Sequence, residues 1–95
     1  MKAELLLAER IDYDDGAIVE MVIWRVPKPV PPSTHGLKFS LFYGRHGVRE
    51  VGYDNERGKG DHRHFQGIET AYVFSTVERL MEDFWSDVHA LRGGE

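Results

Sequence analysis

The feature that most restricts the fold is a run rich in β-branched residues, 17–26, that is bounded on both sides by residues that end a strand. Turn-forming residues precede it at Tyr13–Gly16, and a proline-rich segment follows at 27–32. Proline lacks the N–H that a central strand must donate, so a strand cannot continue into that segment. The run therefore predicts a strand, and the Asp-Gly pair before it predicts a tight hairpin with the alternating segment 3–12.

A second hairpin is predicted further along the chain. Apolar and polar side chains alternate in 37–43, glycines at both ends of 44–47 favour a turn, and a second β-rich segment follows at 48–53. Segment 71–74 predicts a short fifth strand.

The end of the chain predicts a helix over residues 76–92. Its apolar side chains recur at helical spacing: Val77, Leu80, Met81, Phe84, Trp85, Val88 and Leu91. Ser75 and Glu78 have the spacing of a capping box at its start. The sequence thus predicts a single α+β domain, 1–95. Its antiparallel sheet has four to five strands, formed by two hairpins, and packs against one C-terminal α-helix.

Composition narrows the class of protein. The absence of cysteine excludes disulfides and thiolate metal sites. The apolar runs are too short for a membrane span, and the start lacks the pattern of a signal peptide. A net charge of -4 argues against indiscriminate nucleic-acid binding, although five bases and no acid lie between Trp24 and Arg49.

The segment from Tyr53 to Phe65 is denser in reactive side chains than a simple connection requires. His62 and His64 are two residues apart, so in extended backbone their rings project to the same side. Paired imidazoles supply a base and an acid, which suits metal-independent cleavage of RNA by its own 2′-hydroxyl group. The hydroxyl of Tyr53 is a third candidate catalytic group.

Bases in the same segment predict where a phosphate binds. The candidates are Arg57, Lys59 and Arg63, whose charge would stabilise the reacting phosphate. The glycines on either side of Lys59 allow backbone amides to point at an anion. Aromatic side chains near the motif, Tyr53 and Phe65, are candidate stacking partners for bases.

Two other interpretations of the segment remain open. His62 and His64, with Asp54 and Asp61, resemble part of a divalent-metal site, although no cofactor is required by the acid–base scheme. Alternatively, the acids and bases neutralise one another, and the segment is a salt-bridged loop at the edge of the sheet.

A family resemblance rests on Met21–Pro27, Gly52–His64 and the order of motifs along the whole chain. In these the chain resembles the TumE-type toxins, small proteins of bacterial and archaeal toxin–antitoxin pairs. The resemblance implies a cytosolic growth inhibitor whose partner is an antitoxin with a helix-turn-helix DNA-binding domain. It implies no catalytic residues.

Three functions follow as hypotheses. The first is a toxin that cleaves RNA with its paired histidines. The second is a non-catalytic interaction protein that inhibits growth by binding a target, or that acts within an antitoxin complex. The third is a metal-dependent phosphodiesterase or hydrolase. A homodimer is compatible with each of them.

Overall fold

The computed structural model describes residues 2–93, which form one antiparallel sheet followed by a helix. All six strands lie in the sheet in chain order, so each pairs with its neighbour in sequence. The strands are β1 (Glu4–Asp12), β2 (Ala17–Arg25), β3 (Leu37–Arg45), β4 (Val48–Glu56), β5 (Gly60–Phe65) and β6 (Ile68–Ala71). Helix α1 spans Val77–Leu91. The predicted α+β class, with one sheet and a C-terminal helix, is confirmed.

One face of the sheet is closed by α1. Side chains alternate between the two faces of a strand, so every second residue of β2, β3 and β4 points toward the helix. The buried apolar side chains of this helix face are Ala17, Val19, Met21, Ile23, Phe39, Leu41, Tyr43, Val51, Tyr53, Leu80, Phe84 and Val88. Burial of each large apolar side chain stabilises the fold by on the order of 1.5–3 kcal/mol. These side chains are therefore the hydrophobic core of the described chain.

The alternate side chains lie on the opposite side of the sheet, away from α1. We call this side the open face. Glu20 and Ser40 are exposed on it, and Trp24 keeps 37% of its surface exposed. The strands at the C-terminal half of the sheet present histidines and acids on this face, and the candidate site lies there.

A buried asparagine holds β4 beside β3 where their regular pairing ends. The ladder reaches Ser40 opposite Asp54, and Asn55 follows with no exposed surface. The side-chain oxygen of Asn55 accepts a hydrogen bond from the Phe39 N–H (2.9 Å), and its amide donates to the Leu37 carbonyl (2.7 Å). One side chain thus replaces missing backbone bonds and keeps β4 in the sheet, where it also pairs with β5.

The sheet has six strands, whereas the sequence predicted four to five. The missed strand is β5, because its glycine, aspartate, arginine and histidines are not typical strand formers. The segment predicted as the fifth strand, 71–74, overlaps β6 only at Ala71.

The start of α1 also differs from the prediction. Thr76 is the N-cap, and its hydroxyl accepts a hydrogen bond from the Arg79 N–H at 3.0 Å. The capping box predicted from Ser75 and Glu78 is therefore wrong by one position. Within residues 2–93, no helix has the length and apolar character needed to cross a bilayer.

Candidate functional site

Four side chains converge on the open face because of the register of β4, β5 and β6. Asp54 lies opposite His62, and Glu69 lies opposite His64. The two imidazole rings project to the same side, as the sequence predicted, with ring centroids 4.9 Å apart. We call Asp54, His62, His64 and Glu69 the open-face cluster.

His62 is the buried member of the cluster, with 4% of its surface exposed. Its Nδ1 lies 3.0 Å from the carbonyl oxygen of Gly60. Its Nε2 contacts Oδ1 of Asp54 and lies 3.4 Å from Oε2 of Glu69. Both ring nitrogens therefore face oxygen atoms that can accept a hydrogen bond.

His64 is held in a different way. Its Nδ1 lies 3.0 Å from a guanidinium nitrogen of Arg49, and its Nε2 lies 3.9 Å from the nearest oxygens of Asp54 and Glu69. Arginine only donates hydrogen bonds, so Nδ1 accepts and the ring proton belongs on Nε2. Burial lowers the pKa of His64, the charge of Arg49 lowers it further, and the two carboxylates oppose the shift.

Arg49 reaches His64 because the intervening residue is glycine. Gly52 lies opposite His64, and a Cβ at this position would come within 2.6 Å of Cδ of Arg49. The arginine side chain thus crosses the space that a larger residue would fill. Arg49 also lies 3.9 Å from Oδ2 of Asp54, and 42% of its side chain is exposed. It places a partly exposed cation beside the paired histidines.

The open-face cluster has the donor atoms of a metal site. Asp54, His62 and His64 each offer a ligand atom within 4.8 Å of the other two. Oδ1 of Asp54 is buried and accepts no hydrogen bond of regular geometry within residues 2–93, although His62 lies against it. Three of the four metal ligands considered in the sequence are therefore together, and Glu69 lies beside them where Asp61 was expected.

Asp61 lies on the other side of β5 and binds the proline-containing loop. Its carboxylate accepts a hydrogen bond from the Ser33 hydroxyl and lies 2.7 Å from Nε2 of His35. The N–H of Gly58 donates to the Pro31 carbonyl at 2.8 Å, which ties the β4–β5 turn to the same loop. Asp61 therefore positions the loop and is not part of the open-face cluster.

Two predicted phosphate-binding residues, Arg57 and Lys59, are exposed in the β4–β5 turn. Gly58 and Gly60 on either side of Lys59 both have positive φ, at 88° and 77°, which glycine adopts without a steric penalty. Lys59 lines a recess of about 360 Å³ together with His62 and Glu69. Of the predicted phosphate ligands, Lys59 thus shares a recess with one of the two histidines, His62.

Tyr53 and Arg63 face the helix and are separated from the histidines by the sheet. The Tyr53 hydroxyl donates to Asp87 of α1 at 2.6 Å. The Arg63 guanidinium makes a two-pronged contact with the same carboxylate at 2.7 and 2.9 Å. Burial raises the pKa of Tyr53, and the bond to Asp87 raises it further. Phe65 lies beneath Arg63, whose guanidinium carbon is 4.8 Å from the ring centroid.

Sequence reasoning missed Arg49, Glu69 and Asp87 as partners of the motif. The sequence contained a signal for the position of Glu69, namely the glycine at 67, which favours a tight turn. In the structure, Gln66 and Gly67 form a two-residue turn with positive φ values of 49° and 85°. Such a turn predicts a hairpin and places Glu69 opposite His64. Arg49 and Asp87 become visible only when the strand register and the helix position are known.

The family model for Toxin TumE matches residues 2–92. The chain belongs to the TumE toxin family. It is therefore the toxin component of a toxin–antitoxin system, and membership of this family implies an antitoxin partner. No match to the chain was found among the curated proteins or among the solved structures.

Proposed function

We propose that this TumE family toxin is a metal-independent endoribonuclease that uses His62 and His64 as its acid–base pair. The observation that carries the proposal is the convergence of the two imidazoles, 4.9 Å apart, beside the guanidinium of Arg49. An acid, a base and a cation in one place are what cleavage by the neighbouring 2′-hydroxyl requires.

The two histidines have different surroundings, which assigns their roles in the proposal. His64 is the base, because its lowered pKa favours the neutral ring. It takes the proton from the 2′-hydroxyl, and the resulting oxygen attacks phosphorus. His62 is assigned the role of the acid, since its Nε2 is directed to the centre of the open-face cluster, next to the base His64. As the bond from phosphorus to the 5′ oxygen breaks, His62 protonates that oxygen. The products are a 2′,3′-cyclic phosphate and a free 5′-hydroxyl.

Arg49 links substrate binding to activation of the base. In the structure, its guanidinium occupies the lone pair of Nδ1 of His64. A phosphate is a stronger partner for arginine than a neutral imidazole, because both are charged and the contact has two prongs. Binding of RNA therefore draws Arg49 to the phosphate and frees Nδ1 to accept the proton.

Lys59 and Arg57 extend the phosphate site in this proposal. Lys59 lines the recess beside His62 and can contact the phosphate at the cleavage point. Arg57 is exposed two residues earlier, so we assign it to a neighbouring phosphate of the same strand. Tyr53 and Arg63 are committed to Asp87, so the proposal gives them no contact with RNA.

The test is cleavage of single-stranded RNA by the purified toxin, with the ends of the products identified by mass spectrometry. We expect 2′,3′-cyclic phosphates, activity that persists in EDTA, and loss of cleavage in H64Q and R49Q. H89Q is the matched control, because His89 is exposed on α1. Growth arrest without new RNA ends would contradict the proposal and favour a non-catalytic inhibitor.

We further propose that the antitoxin carries a helix-turn-helix DNA-binding domain and that the pair acts in the cytoplasm, where the RNA is. The resemblance in Met21–Pro27 and Gly52–His64 supports this proposal. A neighbouring gene for such a protein, and its co-purification with the toxin, are the expected results. Light scattering on the purified toxin distinguishes a monomer from a homodimer.

A further inference from the structure

We propose that the open-face cluster binds one Zn²⁺ ion through Asp54, His62, His64 and Glu69, and that this ion holds the toxin inactive. The binding site stands on the geometry of the cluster alone. The inhibitory effect rests on the proposed acid–base mechanism.

The spacing of the donor atoms suits tetrahedral zinc. Bonds of about 2.0–2.1 Å to nitrogen and oxygen place neighbouring ligand atoms about 3.3 Å apart. Oε2 of Glu69 lies 3.4 Å from Nε2 of His62 and 3.9 Å from Nε2 of His64. Oδ1 of Asp54 lies 3.9 Å from Nε2 of His64. The contacting pair, Asp54 and His62, must separate, and an ion would replace the proton between them.

Two further observations point to a ligand at this position. Nδ1 of His62 is bonded to the Gly60 carbonyl at 3.0 Å, which directs Nε2 to the centre of the cluster. Metal-binding histidines characteristically have such a partner on the other ring nitrogen. In addition, the buried Oδ1 of Asp54 lies against Nε2 of His62 and has no other hydrogen-bond partner in the described range. With a cation in place of the proton, both atoms would become ligands.

The donor set selects zinc over magnesium or calcium. Two imidazole nitrogens favour borderline transition metals, whereas Mg²⁺ and Ca²⁺ require oxygen ligands. The two carboxylates balance the charge of one divalent ion. Arg49 adds a further positive charge, 3.0 Å from Nδ1 of His64 and 3.9 Å from Asp54.

Zinc and Arg49 therefore compete for the cluster. The Arg49 interaction places the ring proton of His64 on Nε2, and zinc requires that nitrogen to be free. Arg49 crosses Gly52 and is partly exposed, so it can move to solvent when the ion binds. The ion then takes the place of the proton that His62 donates, and it makes His64 a weaker base. Both changes stop RNA cleavage.

Direct binding is measured with Co²⁺, a spectroscopic substitute for Zn²⁺, added to purified toxin that has been freed of metal with a chelator. We expect the visible absorption of tetrahedral Co²⁺ to appear and then to disappear when Zn²⁺ is added. E69Q and H64Q should weaken binding at least about tenfold, since each removes a ligand. E82Q, which makes the same change on the exposed side of α1, should not alter it.

R49Q separates the two proposals. It should bind Co²⁺ several-fold more tightly than the original chain while losing RNA cleavage. Absence of tetrahedral absorption, or equal affinity of E69Q and the original chain, overturns the metal site whether or not RNA is cleaved. Inhibition is tested by adding Zn²⁺ to the cleavage reaction and then removing it with EDTA. If EDTA abolishes cleavage and Zn²⁺ restores it, the ion is catalytic and the inhibitory role is wrong.

Discussion

The two faces of strand β5 differ in what their charged side chains do. Arg63 points to α1 and, with Tyr53, binds Asp87. Its sequence neighbours, His62 and His64, point to the open face and meet Asp54 and Glu69 there. The helix face uses charge to fix a helix, whereas the open face is where the proposed function places its acid–base pair. The alternation of a strand thus divides one continuous motif between the two faces of the sheet.

The largest expected effect is loss of activity on the open face. We expect H64Q to lower the rate of RNA cleavage about 10²–10⁴-fold, the range typical of removing a general base. The rate is measured in single-turnover reactions at saturating toxin. The free energy of unfolding, measured in urea, should change by less than about 1 kcal/mol, because the face carries little of the core. Unfolding of H64Q with no change in rate per folded molecule would reverse the assignment of the two faces.

The corresponding change on the helix face is D87A. It removes the shared acceptor of Arg63 and Tyr53, which would remain against α1 with only the bond from Arg63 to the Tyr53 hydroxyl. Loss of one partner of a buried pair costs about 3–5 kcal/mol, and the partial exposure of Arg63 reduces this to about 2–3 kcal/mol. Urea unfolding gives the value.

The control for D87A is the cleavage rate of the folded fraction. This rate should stay within about twofold of the rate of the original chain. For comparison, a change of about 1.4 kcal/mol in the activation barrier alters a rate tenfold. A fall in rate as large as that of H64Q would show that the helix face takes part in catalysis.

A smaller effect is expected from G52A, which tests the position of Arg49. The added methyl group would meet Cδ of Arg49 at 2.6 Å, so the flexible arginine must move away from His64. We expect the cleavage rate to fall about tenfold, equivalent to ~1.4 kcal/mol of transition-state stabilisation. G52A combined with R49Q should be no slower than R49Q alone. Additive losses would mean that Gly52 acts by a route other than Arg49.

The smallest effect concerns alkaline pH and belongs to the helix face. Burial raises the pKa of Tyr53 and of Tyr72, whose hydroxyls donate to Asp87 and Asp83. The folded state therefore favours the neutral phenols. Their contribution is complete below the unfolded pKa of about 10 and is lost as the pH rises toward the higher folded values.

The measurement is the free energy of unfolding at several alkaline pH values, for the original chain and for Y53F and Y72F. Each variant should have a lower stability but a weaker dependence on pH. Ultraviolet absorption of tyrosinate should also show that these two residues ionise only when the chain unfolds. Ionisation of all four tyrosines in the folded state would contradict the expectation that Tyr53 and Tyr72 stay neutral there.

Much of the fold follows from local patterns. Segment 17–26 alternates apolar residues between two turns, and residues 76–92 repeat them at helical spacing, so these elements can be predicted from a single sequence. Strand β5 could not be predicted in this way, because its residue types do not favour strands. Its backbone is held by pairing with β4 on one side and β6 on the other, and the residue types of β5 alone do not indicate these pairings.

The candidate site was only partly predictable for the same reason. The spacing of His62 and His64 indicates that they share a side only if the backbone is extended. Once β5 is known to be a strand, the alternation of its side chains places Arg63 on the other face. Arg49 required knowledge of register, since only its crossing of Gly52 brings it to His64. Charge and position in the sequence alone do not show that Arg49 reaches His64 and that Arg63 does not.

The bonds from Asp61 to Ser33 and His35 have a mechanical consequence. Asp61 immediately precedes His62, so the proline-containing loop is bonded to the residue next to an imidazole on the far side of the sheet. Ser33 is distant from the histidines in sequence, yet its hydroxyl is an anchor for the strand that carries them. A substitution in this loop can therefore act on the histidines without touching them, by releasing the residue beside His62.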